Sequence, residues 1–83
     1  MHELSIALSV CQMAEDRLGR RALRQVKRIG LTVGEDAGVE FGSLEFCLDV
    51  LLNAPPFSGA RAEIARTKGS DLLLDYMEVD DGR

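Results

Sequence analysis

The first three residues of the chain, Met1-His2-Glu3, bring several metal-binding groups together within one short segment. Met1 offers a free amine, His2 an imidazole and a main-chain nitrogen, and Glu3 a second main-chain nitrogen and a carboxylate. A nitrogen-rich, square-planar set of this kind suits Ni(II) or Cu(II), whereas zinc prefers a tetrahedral set. These residue types therefore predict a nickel or copper site formed by Met1, His2 and Glu3.

A helix that begins at this segment would leave its main-chain nitrogens available, because the first four N–H groups of a helix have no intrahelical partner. Amine, imidazole and amides must all lose protons before they bind a metal, so affinity is expected to rise with pH. The helix dipole opposes a dication here, and the Glu3 carboxylate would have to offset it. The alternative is that His2, the single histidine of the chain, is a solvated residue at a frayed end.

Two other groups of residues carry weaker signals. Glu35, Asp36 and Glu40 border a glycine-bearing turn, but no second histidine and no nucleophile with a base accompany them, so we expect no enzyme activity. Six of the ten basic residues fall within one short window, which is typical of a solvated helix end but also of a docking patch for an acidic partner or RNA: Arg17, Arg20, Arg21, Arg24, Lys27 and Arg28.

The two cysteines, Cys11 and Cys47, lie far apart in the sequence, and neither belongs to a Cys-x-x-Cys pair. The chain therefore encodes no local zinc knuckle or redox dithiol. Both fall on helix faces that we expect to be apolar, and free cysteine is among the most buried residue types, so we expect inert, buried thiols. Whether their α-carbons approach closely enough for a disulfide stays open at this point.

The elements that must position these residues follow from hydrophobic periodicity. Apolar residues at three- and four-residue steps predict one helix over about residues 3–18 and another over about 40–52. Alternation predicts strands over about 25–33, around 61–65 and over 72–79. The last strand has apolar residues at both parities, which a bulge near Asp75 or two covered faces would explain. The short loop before it predicts an antiparallel hairpin with the second strand.

The order helix-strand-helix-strand-strand favours an α+β fold, in which two helices pack on one face of a three-stranded mixed sheet. Residues 1–83 are few enough to form a single domain. The net charge of -4 argues against nucleic acid or an anionic membrane as partner, and no apolar run approaches the roughly 20 residues that cross a bilayer. We expect a cytoplasmic protein that is a monomer or a weak dimer.

The opening Met1-His2-Glu3-Leu4-Ser5-Ile6-Ala7 resembles that of the HypA/HybF family of nickel-incorporation proteins. The resemblance continues along most of the chain, through Val26-x-x-Ile29-Gly30-Leu31-Thr32-Val33-Gly34-Glu35, Ala37-Gly38-Val39, Leu44-x-Phe46, Gly59-Ala60 and Met77-Glu78-Val79. It implies a metallochaperone that binds Ni(II) through the Met1 amine, His2 and the Glu3 main chain during [NiFe]-hydrogenase maturation. The implied partners are a HypB-type GTPase and the hydrogenase large subunit, and in some organisms relatives also assist urease.

One departure from the family is large. Family members carry a zinc-ribbon domain with two Cys-x-x-Cys pairs between the last two strands, where this chain has only Arg66-Thr67-Lys68-Gly69-Ser70. We therefore expect no structural zinc and place the insertion point near residues 66–70.

Two rival hypotheses belong to other classes of protein. The first is a metal-independent adaptor or scaffold that docks a maturation GTPase or another partner. The second is a small RNA-binding domain that uses the basic window. Nickel binding that depends on an intact N-terminus separates the metallochaperone from both, and salt-sensitive RNA binding would favour the second.

Overall fold

The computed structural model describes residues 2–80 of the chain. Its elements are helix α1 (Glu3–Leu18), a 3-10 helix (Arg20–Gln25), strand β1 (Val26–Gly34), helix α2 (Phe41–Leu52), strand β2 (Arg61–Thr67) and strand β3 (Leu72–Val79). Periodicity predicts both α-helices and all three strands at these places, but it does not predict the 3-10 helix. Within the described residues, no helix is long and apolar enough to span a membrane.

Helix α1 begins directly after His2, whose main chain is extended with φ of -83° and ψ of 112°. It ends at Gly19, whose φ of 83° lies in the region that favours glycine, and the Gly19 N–H donates to Glu15 O at 2.7 Å. One face of the helix is buried. Its four buried residues are Ile6, Ala7, Val10 and Ala14.

Helix α2 is capped by Glu40, whose carboxylate accepts hydrogen bonds from Gly42 N at 3.0 Å and Ser43 N at 2.7 Å. It ends at Asn53, and the prolines that follow in the sequence cannot continue a helix. Its buried face consists of three leucines four residues apart: Leu44, Leu48 and Leu52.

The sheet has the strand order β2-β1-β3. Strand β1 pairs in parallel with β2, from Arg28 opposite Arg61 to Gly34 opposite Thr67. Its other edge pairs antiparallel with β3, between Val26 opposite Val79 and Val33 opposite Leu72. The predicted mixed sheet is therefore confirmed, together with the α+β class.

The predicted hairpin between the last two strands is wrong, because β1 lies between them. Strands β2 and β3 run in opposite directions, but the segment that joins them crosses the end of β1. Three main-chain hydrogen bonds hold that crossing: Gly34 N to Asp71 O at 2.7 Å, Glu35 N to Thr67 O at 2.8 Å and Asp36 N to Gly69 O at 2.8 Å. Two strand spacings are only about 10 Å, so a loop of four residues reaches as easily across one strand as to a neighbour.

The core lies between the sheet and the two helices. Ile29, Leu31 and Val33 of β1 face it and are at most 1% exposed. In β3, Gly30 opposes Tyr76 and Leu31 opposes Leu74, which leaves Asp75 as the extra residue of a bulge. The predicted bulge near Asp75 is confirmed, and it explains the mixed parity of the apolar residues in this strand.

Cys11 and Cys47 are free thiols that lie at the margin of this core. Both are half-buried, so the expectation that they are fully buried is wrong. Burial nevertheless raises the pKa of the Cys11 thiol, which keeps this side chain protonated and unreactive at neutral pH. No disulfide joins the two residues.

Candidate metal centre

The structure places His2 at the N-cap position of α1, exposed to solvent. Its side chain forms no capping hydrogen bond, and its main-chain oxygen accepts from Ile6 N at 3.2 Å. Helix α1 therefore does not use the His2 imidazole as a cap. Met1, the third predicted ligand residue, lies outside the described residues.

The main-chain nitrogens at this helix start are also available. The N–H groups of His2 and Glu3 precede the first intrahelical hydrogen bond, and neither donates to an acceptor within residues 2–80. Deprotonation of either amide by a metal would therefore break no hydrogen bond of the fold. The structure supplies the unengaged donors that the sequence predicts.

The Glu3 side chain, in contrast, is held by the second helix. Its Oε2 accepts a hydrogen bond from Glu40 N at 3.1 Å, and the residue is half-buried. Because Glu40 is the N-cap of α2, this bond joins the first residue of one helix to the start of the other. The sequence offers no local signal for this contact, since the two residues are 37 positions apart.

The two helices thus begin side by side, which brings two positive dipole ends together. Carboxylates offset them: Glu3 lies in the first turn of α1, and Glu40 caps α2. Hydrogen bonds from the side chain and main chain of Ser43, and from Gly42 N, lower the pKa of Glu40, so this carboxylate stays ionised at neutral pH. A dication at His2 would meet nearby negative charge as well as the opposing dipoles.

Side chains alone do not form a metal site in the described part of the chain. Residues 2–80 contain no group of three or more His, Cys, Asp and Glu side chains arranged to hold a metal ion. A metal bound near His2 would consequently need main-chain or terminal nitrogens, and these favour square-planar coordination.

A second polar cluster lies on the sheet face away from the helices. Arg28 pairs with Glu63 at 3.4 Å and with Glu78 at 3.6 Å, and the Tyr76 hydroxyl donates to Glu63. That hydroxyl, and then Arg28, lower the pKa of Glu63, while Glu63 raises the pKa of Tyr76. The cluster holds neither a histidine nor a cysteine, and its groups satisfy one another, so it links strands and forms no catalytic set.

An exposed histidine with unengaged main-chain nitrogens, on a small two-layer domain, is the kind of site that a metal-carrying accessory protein requires. Comparison with known families supports this class. The family model described as "Hydrogenase/urease nickel incorporation, metallochaperone, hypA" matches residues 1–72. The chain belongs to the HypA family of metallochaperones.

Individual relatives agree with the family match. The chain is 37% identical over 79 residues to the hydrogenase maturation factor HypA of Beijerinckia indica, covering 95% of this chain and 70% of the relative. It is 39% identical over 79 residues to that of an Azoarcus species, covering 95% and 69%. The solution structure of the Ni metallochaperone HypA from Helicobacter pylori superposes with a TM-score of 0.68 at 15% identity, covering 92% of this chain and 72% of that one. This last likeness confirms the fold.

Proposed function

We propose that the chain binds one Ni(II) ion at its N-terminus and delivers it during [NiFe]-hydrogenase maturation. The proposed ligands are the Met1 amine, the His2 imidazole and main-chain nitrogen, and the Glu3 main-chain nitrogen. The observation that carries this proposal is the exposed His2 at the start of α1, beside amides that make no hydrogen bond within residues 2–80. Membership of a nickel-incorporation family favours nickel over copper as the cargo.

Delivery requires that the ion can leave as well as bind. His2 is exposed, so an acceptor protein has access to the imidazole and can replace ligands one at a time. The Glu3 side chain is occupied by Glu40 N and would steady the helix start during this exchange. We propose a HypB-type GTPase and the hydrogenase large subunit as partners of a cytoplasmic monomer or weak dimer.

We further propose that the chain is a single nickel-binding domain without the zinc ribbon of the family. The connection between β2 and β3 consists of residues 68–71 only, which overlaps the predicted insertion region of residues 66–70. The chain also spans about 70% of the length of the Beijerinckia relative, which leaves part of that relative without a counterpart here. Structural zinc is therefore not part of the proposed function.

A metal-independent adaptor is the second candidate, and exposed apolar side chains favour it. Leu4 and Leu8 of α1 are 53% and 51% exposed, and Phe46 and Val50 of α2 are 68% and 54% exposed. Each pair lies four residues apart on one helix face, as expected of a surface that packs against another protein. Either helix face would serve an adaptor equally well with or without bound nickel.

Nickel titration of matched variants tests the proposal. By isothermal calorimetry at pH 7.5, we expect the untagged chain and a Gln12→Ala control to bind one Ni(II) with equal affinity. The His2→Ala variant and a chain whose Met1 amine is acetylated should each bind at least about tenfold more weakly, because each removes a ligand group. Equal affinity in all four chains would contradict the nickel site and favour the adaptor.

A further inference from the structure

The 3-10 helix Arg20–Gln25 carries three arginines within five positions, and all three are exposed. We call Arg20, Arg21 and Arg24 the basic end of the molecule. Guanidinium groups stay charged throughout the accessible pH range, so these are three permanent positive charges on a chain whose net charge is -4. Such a cluster repels itself unless anions accompany it.

Little in the fold neutralises the basic end. Arg20 approaches Glu15 at 3.3 Å, but both side chains are substantially exposed, and such surface pairs contribute little. Arg21 and Arg24 form no hydrogen bond or ion pair within residues 2–80. The other basic residues of the window are engaged: Arg17 Nη1 donates to Leu74 O at 3.5 Å, Lys27 pairs with Asp80 at 3.6 Å, and Arg28 pairs with Glu63 and Glu78.

The shape of the basic end suits carboxylates. Arg20, Arg21 and Arg24 line one open depression together with Pro56, from the loop that follows α2. The proline ring supplies an apolar contact, and the planar guanidinium groups around it can each bind a carboxylate through two parallel hydrogen bonds. The arginines are thus grouped around a common surface instead of pointing apart.

The basic end is also distant from three acidic residues at the other end of β1. The 3-10 helix leads into the first residue of β1, whereas Glu35, Asp36 and Glu40 follow its last residue. At about 3.3 Å per residue, the nine residues of β1 separate these groups by roughly 27 Å, well beyond a Debye length of about 8 Å. Glu35, Asp36 and Glu40 are therefore too far away to screen the basic end, where Glu15 approaches only Arg20.

We propose that the basic end docks an acidic segment of a protein partner, recognised by its Asp and Glu side chains. An RNA partner is disfavoured, because no aromatic side chain lines the depression to stack a base and the net charge opposes a long polyanion. This surface lies at the opposite end from the proposed nickel site. A docked partner therefore leaves His2 accessible for metal exchange.

The test uses the metal-free, untagged chain and a fluorescein-labelled hexaglutamate peptide, with affinity measured by anisotropy at low and high salt. We expect Arg21→Gln/Arg24→Gln to bind at least about tenfold more weakly than the unchanged chain at low salt. The matched control Arg61→Gln/Lys68→Gln, which removes two exposed charges elsewhere, should stay within about twofold. Thermal unfolding of both variants separates loss of binding from loss of fold.

Three results would overturn the proposal. The control variant could lose as much affinity as the basic-end variant, which would mean that the peptide responds only to overall charge. The unchanged chain could fail to bind hexaglutamate at low salt. A hexauridine oligonucleotide could bind the basic end more tightly than the peptide, which would assign the surface to nucleic acid. Because no metal is present, none of these results depends on the nickel site.

Discussion

At the scale of single residues, two glycines of β1 lie so close to other atoms that a larger side chain does not fit without a rearrangement. A methyl group at Gly30 would overlap the aromatic ring of Tyr76, and one at Gly34 would overlap the main-chain carbonyl of Gly69. The two obstacles differ in kind. The Tyr76 ring is 45% exposed and free to swing aside, whereas the Gly69 carbonyl belongs to the crossing that joins β2 to β3.

These contacts predict unequal costs for the two alanine substitutions. Gly30→Ala should lower the free energy of unfolding only slightly, because the exposed Tyr76 ring can move aside and loses only its hydrogen bond to Glu63. Gly34→Ala should lower it by about 3 kcal/mol, because main-chain atoms must move. Urea denaturation measures both values. In a Tyr76→Ala background the loss of stability caused by Gly30→Ala should be smaller. If Gly30→Ala destabilises the chain as much as Gly34→Ala or more, the segment that joins β2 to β3 is not rigid at Gly69.

At the scale of elements, α2 depends on an ionised cap. Glu40 accepts from Gly42 N and Ser43 N through its carboxylate, and its own N–H donates to Glu3. These side-chain bonds favour the charged form, so the pKa of Glu40 in the folded chain lies below its ordinary value of 4.5. A depressed carboxyl pKa stabilises the folded state fully above the unfolded-state pKa, and this stabilisation is lost as pH falls through the folded-state pKa.

The cap therefore predicts a pH-dependent effect of Glu40→Gln. At pH 7 the variant should unfold at a lower temperature than the unchanged chain, because an amide accepts more weakly than a carboxylate at a helix N-terminus. The difference should shrink as the pH falls from 4.5 towards the lower pKa of Glu40 in the folded chain, through which the carboxylate becomes protonated. Thermal unfolding followed by circular dichroism gives both values. Glu45→Gln, on the same helix, is the control, and a difference that is constant down to pH 3 would contradict a role for the ionised carboxylate.

At the scale of the whole molecule, local patterns predict the elements but not their neighbours. Periodicity predicts both helices and the three strands, because it depends only on residues that are close in sequence. For the same reason, the change in parity within β3 indicates the bulge at Asp75. The pairing of β1 with both other strands is not encoded locally. A four-residue loop fits a hairpin and a crossing over β1 equally well, so its length does not decide between them.

The same limit applies to the candidate metal centre. His2 and Glu3 are predicted as metal ligands from residue type and position alone, because the proposed ligand groups belong to adjacent residues. The contact between Glu3 and Glu40 joins two helix starts across the fold, and no sequence spacing indicates it. The 3-10 helix that gathers the basic end is likewise missed, because its arginines give no hydrophobic period.

If main-chain amides at the start of α1 bind the nickel ion, as we propose, each must lose its proton, and this proton release can be counted. Calorimetric titrations at pH 7 in buffers of different ionisation enthalpy count the protons that each Ni(II) displaces. We expect about three per ion, two from the amides of His2 and Glu3 and the remainder from the amine and imidazole. Release of one proton or fewer at full occupancy would mean that neither amide is deprotonated, since the amine and imidazole alone supply about one, and would contradict coordination by the amides.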